Sequence, residues 1–164
     1  WGDAKADGKT IRLPQNLHGI QEVQATSHAF AAICHDGSVV CWGDPEGGDC
    51  TQVAHRLKGV KQIQRNHAAF AAILSDGTVV CWGRPEDGGD CSPVQHQLID
   101  VQHIQATSSA FAAICKDGGV VSWGNPTNGG DSSEVQHQLK EVQKIQSTGF
   151  SFAALLADGR VVAW

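Results

Sequence analysis

Six cysteines and eight histidines are the residues of this 164-residue chain whose types could do chemistry. Cys41 and Cys50 occupy positions that hold Cys81 and Cys91 one repeat later, then Ser122 and Ser132, then Ala163 and Thr10 across the termini. Both positions are cysteine or neither is. A paired change of this kind is what a disulfide produces, because one partner alone is useless, so the pattern predicts bridges Cys41–Cys50 and Cys81–Cys91. Closing so short a loop stabilises a fold by about 2.5 to 3 kcal/mol in the chain-entropy model. The alternatives are buried reduced thiols acting as small hydrophobes, or a zinc site built from all four, which lacks the usual Cys-x-x-Cys spacing. Cys34 and Cys115 fall where the other repeats have Leu74 and Leu156, and that exchange marks core packing.

The remaining chemistry is thinner. His55, His96 and His137 recur at one repeat position, with Gln15 at the fourth. Imidazoles facing a common axis could hold a metal, but these lie in an outer segment between apolar flanks and read as exposed polar positions. The corners Gly47-Gly48-Asp49, Gly88-Gly89-Asp90 and Gly129-Gly130-Asp131 fit positive φ at glycine and capping of backbone amides by Asp. A calcium loop would need several oxygen ligands close in sequence. His35-Asp36 sits in a turn with no serine or thiol placed to be activated. The expectation is therefore no catalytic residues, no metal, no cofactor and no enzyme activity.

The elements that position these residues are written four times. Phe30 to Trp42 recurs at Phe70 to Trp82, Phe111 to Trp123 and Phe152 to Trp164, each time as two apolar runs around Asp-Gly. That dipeptide between alternating strands predicts a β-hairpin with a type I′ turn, which would pair Cys34 with Val39 and Ile33 with Val40. Tryptophans at 1, 42, 82, 123 and 164 mark units of 41, 40, 41 and 41 residues. A period of this size means a solenoid, propeller or array. Each unit runs in the same order: an initial strand such as Val23-Gln24 or Ile63-Gln64, the hairpin, a Trp-Gly turn, a loop with Pro45, Pro85 or Pro126, and an outer segment such as Val53 to Leu57. Three or four short strands per unit and no amphipathic helix predict an all-β propeller of four blades. The approximate repeats are 1–41, 42–81, 82–122 and 123–164 within one domain, and residues 1–18 match 82–99 well enough to complete the blade begun by 141–164.

Composition sets limits on partners. A formal net charge of -5 argues against general attraction to nucleic acid or to an anionic membrane. No apolar run approaches the roughly 20 residues of a membrane-spanning helix. Two disulfides would place the chain in an oxidising compartment: extracellular, secretory lumen or organelle lumen.

The string Phe-Ala-Ala-Ile-x-x-Asp-Gly-x-Val-Val-x-Trp-Gly, preceded by Val-x-x-Ile, resembles the repeat of the regulator of chromosome condensation (RCC1-like) family over the whole chain. Where that family usually has Gly and His before the first hairpin strand, this chain has Thr26 and Ala29, Asn66 and Ala69, Thr107 and Ala110, Thr148 and Ser151. The roles of those family residues therefore do not carry over. The resemblance implies a propeller that normally closes seven blades. Four leave three forms open: a closed four-bladed ring, an arc of a larger propeller, or two chains sharing one ring. It also implies binding to a protein partner, with homodimerisation or membership of a larger complex among the forms this could take. The competing class is a structural one, an accessory subunit or spacer in a longer array.

A repeated scaffold acquires a specific surface only by breaking its own symmetry, so the partner is expected where the four units disagree. One such cluster precedes the first hairpin strand, at Ser27-His28, His67-Ala68, Ser108-Ser109 and Gly149-Phe150, with Phe150 a natural apolar anchor. The other is the loop after Trp-Gly, Asp44 to Glu46, Arg84 to Asp87 and Asn125 to Asn128, together with Lys5. The residues singled out are His28, His67, Ser108, Phe150, Lys5, Glu46, Arg84 and Asn125.

Overall fold

The computed structural model describes residues 17–164. The initial strands β1 (Ile20–Ala25), β4 (Val60–Arg65), β7 (Val101–Ala106) and β10 (Val142–Ser147) each lead into a hairpin. Those hairpins are β2 (Ala29–Cys34) with β3 (Val39–Gly43), β5 (Ala69–Leu74) with β6 (Val79–Gly83), β8 (Ala110–Cys115) with β9 (Val120–Gly124), and β11 (Phe152–Leu156) with β12 (Val161–Ala163). Each trio is its own antiparallel sheet in chain order. Four blades result, numbered 1 to 4 along the chain.

The hairpin register differs from the type I′ expectation by one residue. Ile33 pairs with Val39 and Ala32 with Val40, and the same shift recurs as Ile73 with Val79 and Ile114 with Val120. The Gly37 amide donates to the Cys34 carbonyl at 2.8 Å and the Cys34 amide to Ser38 at 2.9 Å, which closes a three-residue loop. Only Gly37 takes positive φ, at 77°; Asp36 does not. This is the type I turn followed by a left-handed glycine, the other common hairpin connection. Asp36 favours it by accepting from the Ser38 amide at 2.9 Å and its hydroxyl at 2.6 Å, bonds to the residue after the loop that span Gly37.

The outer segment is not a strand. Residues 51–56 form consecutive turns, and Ser92–Val94 and Gln136–Gln138 are single 3-10 turns. Leu57, Leu98 and Leu139 at its end are nonetheless buried to within 2 % exposure, each in the core between its own blade and the next.

Three such cores join the four blades. The seam between blades 1 and 2 packs Ala29, Ala31 and Ile33 against Ile63, Phe70 and Trp82. Between blades 2 and 3, Ile73, Val79 and Cys81 meet Ile104, Phe111 and Trp123. Between blades 3 and 4, Ile114 and Val120 meet Ile145 and Phe152. Alanines on the central strands, all fully buried in β5 and β8, allow one sheet to lie close on the next. Phe70, Phe111 and Phe152 are almost completely enclosed, each contributing about 2 to 3 kcal/mol by burial. Phe70 and Phe111 stack on Trp82 and Trp123, and Phe152 meets Trp164 tilted by 30°, with ring centroids 5.1 to 5.4 Å apart. Among the described residues no apolar core joins blade 4 back to blade 1, so this part of the chain is an arc.

Candidate interaction surface

The residues that vary between units come together in one row that runs along the arc from blade 1 to blade 4. Ser27-His28, His67-Ala68, Ser108-Ser109 and Gly149-Phe150 are the two-residue tips that join the first strand of each blade to its second. The residue before each tip caps it. Thr26 Oγ1 accepts from the Ala29 amide at 3.0 Å, Asn66 Oδ1 from Ala69 at 2.8 Å, Thr107 Oγ1 from Ala110 at 3.0 Å and Thr148 Oγ1 from Ser151 at 3.2 Å. Asn and Thr suit this position because a short side-chain oxygen reaches backbone amides two and three residues on.

Successive tips are also bonded to one another. The Ser27 amide donates to the His67 carbonyl at 3.1 Å, His67 to Ser108 at 3.1 Å, and Ser108 to Gly149 at 2.9 Å. The second variable cluster lies directly beside this row. Asp44, Arg84 and Asn125 donate their amides to His28, Ala68 and Ser109 at 2.9 to 3.0 Å, drawing the loop after each Trp-Gly against its own tip. Asn66 Nδ2 and Thr107 Oγ1 extend the tie to the carbonyls of Asp87 and Asn128, at 2.6 and 2.9 Å. Two clusters that are separate in sequence are one surface.

No protein-family model matches the sequence, and no curated protein does. Solved structures do match the fold. The chain superposes on yeast RCC1 (Prp20) in its complex with Kap60 with a TM-score of 0.64 at 17 % identity, covering 93 % of this chain and 44 % of that one. It is similar to Prp20p from Saccharomyces cerevisiae, described with its binding to Gsp1p and histones, with a TM-score of 0.61 at 17 % identity over 93 % and 45 %. The computationally designed Ika4 protein matches with a TM-score of 0.52 at 17 % identity over 93 % and 94 %. The blades are RCC1-like. The chain spans less than half the length of the yeast RCC1 chains it matches.

On this RCC1-like arc the residues predicted from sequence are placed as follows. His28 and His67 are exposed, their rings edge to face at 6.3 Å. Ser108 is half-buried within the row, and Phe150 stands 69 % exposed at the tip of blade 4. Arg84 is exposed and reaches Asp87 at 3.5 Å and Glu86 at 3.8 Å, so its charge is shared within its own loop. The Asn125 side chain accepts from the Thr127 amide at 3.0 Å and shapes the loop of blade 3. Glu46 belongs to the single helical turn α1 (Pro45–Gly48), and Lys5 lies outside the described residues.

Sequence reasoning missed a contact between blades. Ser27 Oγ and His67 Nδ1 are 2.8 Å apart although 40 residues separate them. Only the repeat period, which brings equivalent positions of adjacent blades side by side, could have signalled it. The pair is exposed.

Of the four paired cysteines, Cys41 and Cys50 lie at disulfide distance with their α-carbons 6.1 Å apart. Cys81 and Cys91 are brought together, both buried, but as free thiols and not as the expected bridge. Burial pushes the Cys81 thiol well above its ordinary pKa, and its hydrogen bond to Cys91 favours the thiolate on the latter. A second tie is present where the bond is absent. Gln95 Nε2 donates to the Val79 carbonyl at 3.2 Å, and Gln136 Nε2 to Val120 at 2.9 Å in blade 3, where the cysteines are Ser122 and Ser132. Blade 1 has Ala54 at that position. Its outer segment is held through sulfur; those of blades 2 and 3 are held by glutamine.

His55, His96 and His137 are exposed on the outer segments, and the described residues contain no group of three metal-ligating side chains. Among the described residues, no helix is long and apolar enough to cross a membrane.

Proposed function

We propose that this chain is a non-enzymatic protein-interaction module that meets a macromolecular partner through the row of tips and the loops beside it. The observation that carries the reading is the coincidence of the two variable clusters on one surface. Side chains there range over His28, His67, Ser108, Arg84, Asn125 and Phe150 on an almost identical backbone, while the hairpins beneath repeat nearly unchanged. A rigid bonded row with an exposed aromatic at one end is the arrangement from which binding hot spots are built. The yeast RCC1 structures, one in complex with Kap60 and one described with Gsp1p and histone binding, support this class of function by fold analogy.

In this reading residues 1–164 are one domain of four blades, with 1–18 matching by sequence the part of the repeat that would follow 141–164. The partner is a protein and not nucleic acid, in keeping with the net charge of -5. An oxidising compartment is supported by the Cys41–Cys50 pair. A second reading, an accessory or spacer segment of a larger assembly, is favoured by the apolar outer face of blade 4, where Val161 is 66 % exposed.

Cross-linking mass spectrometry of the complex with its partner tests the first reading. Cross-links from lysines or photo-reactive groups placed at His67 and Asn125 are expected. A footprint on the outer segments around His55, His96 and His137 that left the tips free would overturn it.

A further inference from the structure

Blades 1 and 4 each carry one face that no other blade covers among the described residues, and both faces remain apolar. Val161 is 66 % exposed, whereas Val79 and Val120 at the same position are 0 % and 2 % exposed. Leu155 is 40 % exposed against 3 to 7 % for Ile33, Ile73 and Ile114. At the opposite end Val23 is 49 % exposed against 1 to 2 % for Ile63, Ile104 and Ile145. Repeats that end an array in solvent need a polar outer face. These ends do not have one.

The backbone tells the same story. The carbonyls of Gly37, Gly77 and Gly118 each accept from the next blade, at Val60, Val101 and Val142, all at 2.9 Å. Gly159 holds the equivalent carbonyl in blade 4, and Gly149 holds the amide equivalent to the donors of His67 and Ser108. Neither has a hydrogen-bond partner among the described residues. Blade 1 presents the matching Ser27 carbonyl, equivalent to those of His67, Ser108 and Gly149, and it too accepts from no described residue. What one end lacks, the other offers.

Among the described residues the chain's own blade 1 does not fill the need, since three cores join the four blades and none joins the last to the first. The arc superposes over 93 % of this chain on a yeast RCC1 chain of which it covers only 44 %. We propose that a second copy of this chain is the occupant: blade 4 of each copy seats on blade 1 of the other, and two arcs close one ring through two identical seams. A head-to-tail contact becomes a closed ring when its rotation allows it. The surfaces required are the ones already used three times inside the chain, so this interface continues an established one.

Light scattering coupled to size exclusion tests the pairing. The chain is expected at twice its mass of 17.4 kDa, and Val161→Asp and Val23→Asp, at positions exposed in the single arc, should each raise the dissociation constant at least tenfold while leaving the far-ultraviolet circular dichroism unchanged. Mixing the two variants restores one intact seam per pair, Val161 of one chain facing Val23 of the other, and should recover part of the dimer. A monomer at all concentrations, a dimer indifferent to both substitutions, or no recovery on mixing would each overturn the proposal.

Discussion

The α-carbon of Asp100 lies 2.8 Å from where a Cβ on Gly77 would stand, so the hairpin of blade 2 touches the entry to blade 3 through backbone alone. Gly159, at the same place in blade 4, has nothing within 4 Å. The two glycines share a positive φ, 80° and 86°, and differ in having a following blade. Gly159→Ala should cost about 1 kcal/mol for the left-handed backbone alone. Gly77→Ala adds a collision with backbone and should cost about 3 kcal/mol. Equal losses in urea denaturation would show that the hairpin end plays no part in joining blades.

Asn66 is a buried polar side chain of the interaction surface that serves three backbone groups. It is 2 % exposed and serves the Asp87 carbonyl and the amides of Ala68 and Ala69 at 2.6, 3.0 and 2.8 Å. Asn66→Ala leaves three buried backbone groups unpaired and should lower stability by about 3 kcal/mol. Asn66→Thr should lose about 1 kcal/mol or less, because Thr107 performs the equivalent tie to Asn128 in blade 3. The comparison is read from thermal melts, and a Thr variant as weak as the Ala variant would count against the capping role.

Cysteine state is readable by differential alkylation. Mass spectrometry under non-reducing conditions should find Cys41 linked to Cys50, with Cys81 and Cys91 recovered as thiols. Cys34, only partly buried on the open face of blade 1, should react with iodoacetamide before Cys115, whose thiol is buried and pushed up in pKa. Free thiols at both 41 and 50 in native material would remove the support for an oxidising compartment.

Acid should weaken the hairpins. Asp76 is held below its ordinary value of 3.8 chiefly by the Thr78 hydroxyl at 2.7 Å and then by the Thr78 amide at 2.9 Å, and Asp36 and Asp158 are lowered in the same turns. A carboxylate whose pKa falls on folding contributes stability above its unfolded value and loses it as pH drops through the folded one. The stability advantage of the wild type over Asp76→Asn should therefore be full at pH 7 and shrink below about pH 4. An advantage constant from pH 7 to pH 3 would show that the charged form is not what the turn holds.

Blade number, strand order and the central hairpins were legible because Phe-Ala-Ala-Ile and Val-Val-x-Trp repeat at a fixed period around Asp-Gly. The turn type was not. Asp-Gly occupies the two central positions of a type I′ turn and the last two of a three-residue loop alike. What goes with the observed form is the bond that Asp36 accepts from the Ser38 amide, repeated at Asp158 from Arg160 in blade 4, where no blade follows among the described residues. The outer segment read as a strand candidate because Val53 and Leu57 are apolar, yet spacing of four residues equally suits consecutive turns that bury only one side. Pairing of Cys41 with Cys50 was visible in the covariation between units. The different state of Cys81 and Cys91 was not, and neither was the tie beside them from Gln95 to a backbone carbonyl 16 residues away.

One seam differs from the others in a way that light can report. Trp123 and Trp164 donate their indole N–H to the carbonyls of Gly88 and Gly129 on the preceding blade, both at 3.0 Å. The loop of blade 1 is one residue shorter and folds as α1, and Trp82 Nε1, buried against it, finds no acceptor. An indole with no hydrogen bond in an apolar setting emits further to the blue than one bonded to a carbonyl. Trp82 is thus an intrinsic fluorophore tuned apart from Trp123 and Trp164, and the blue edge of the emission spectrum follows the junction of blades 1 and 2.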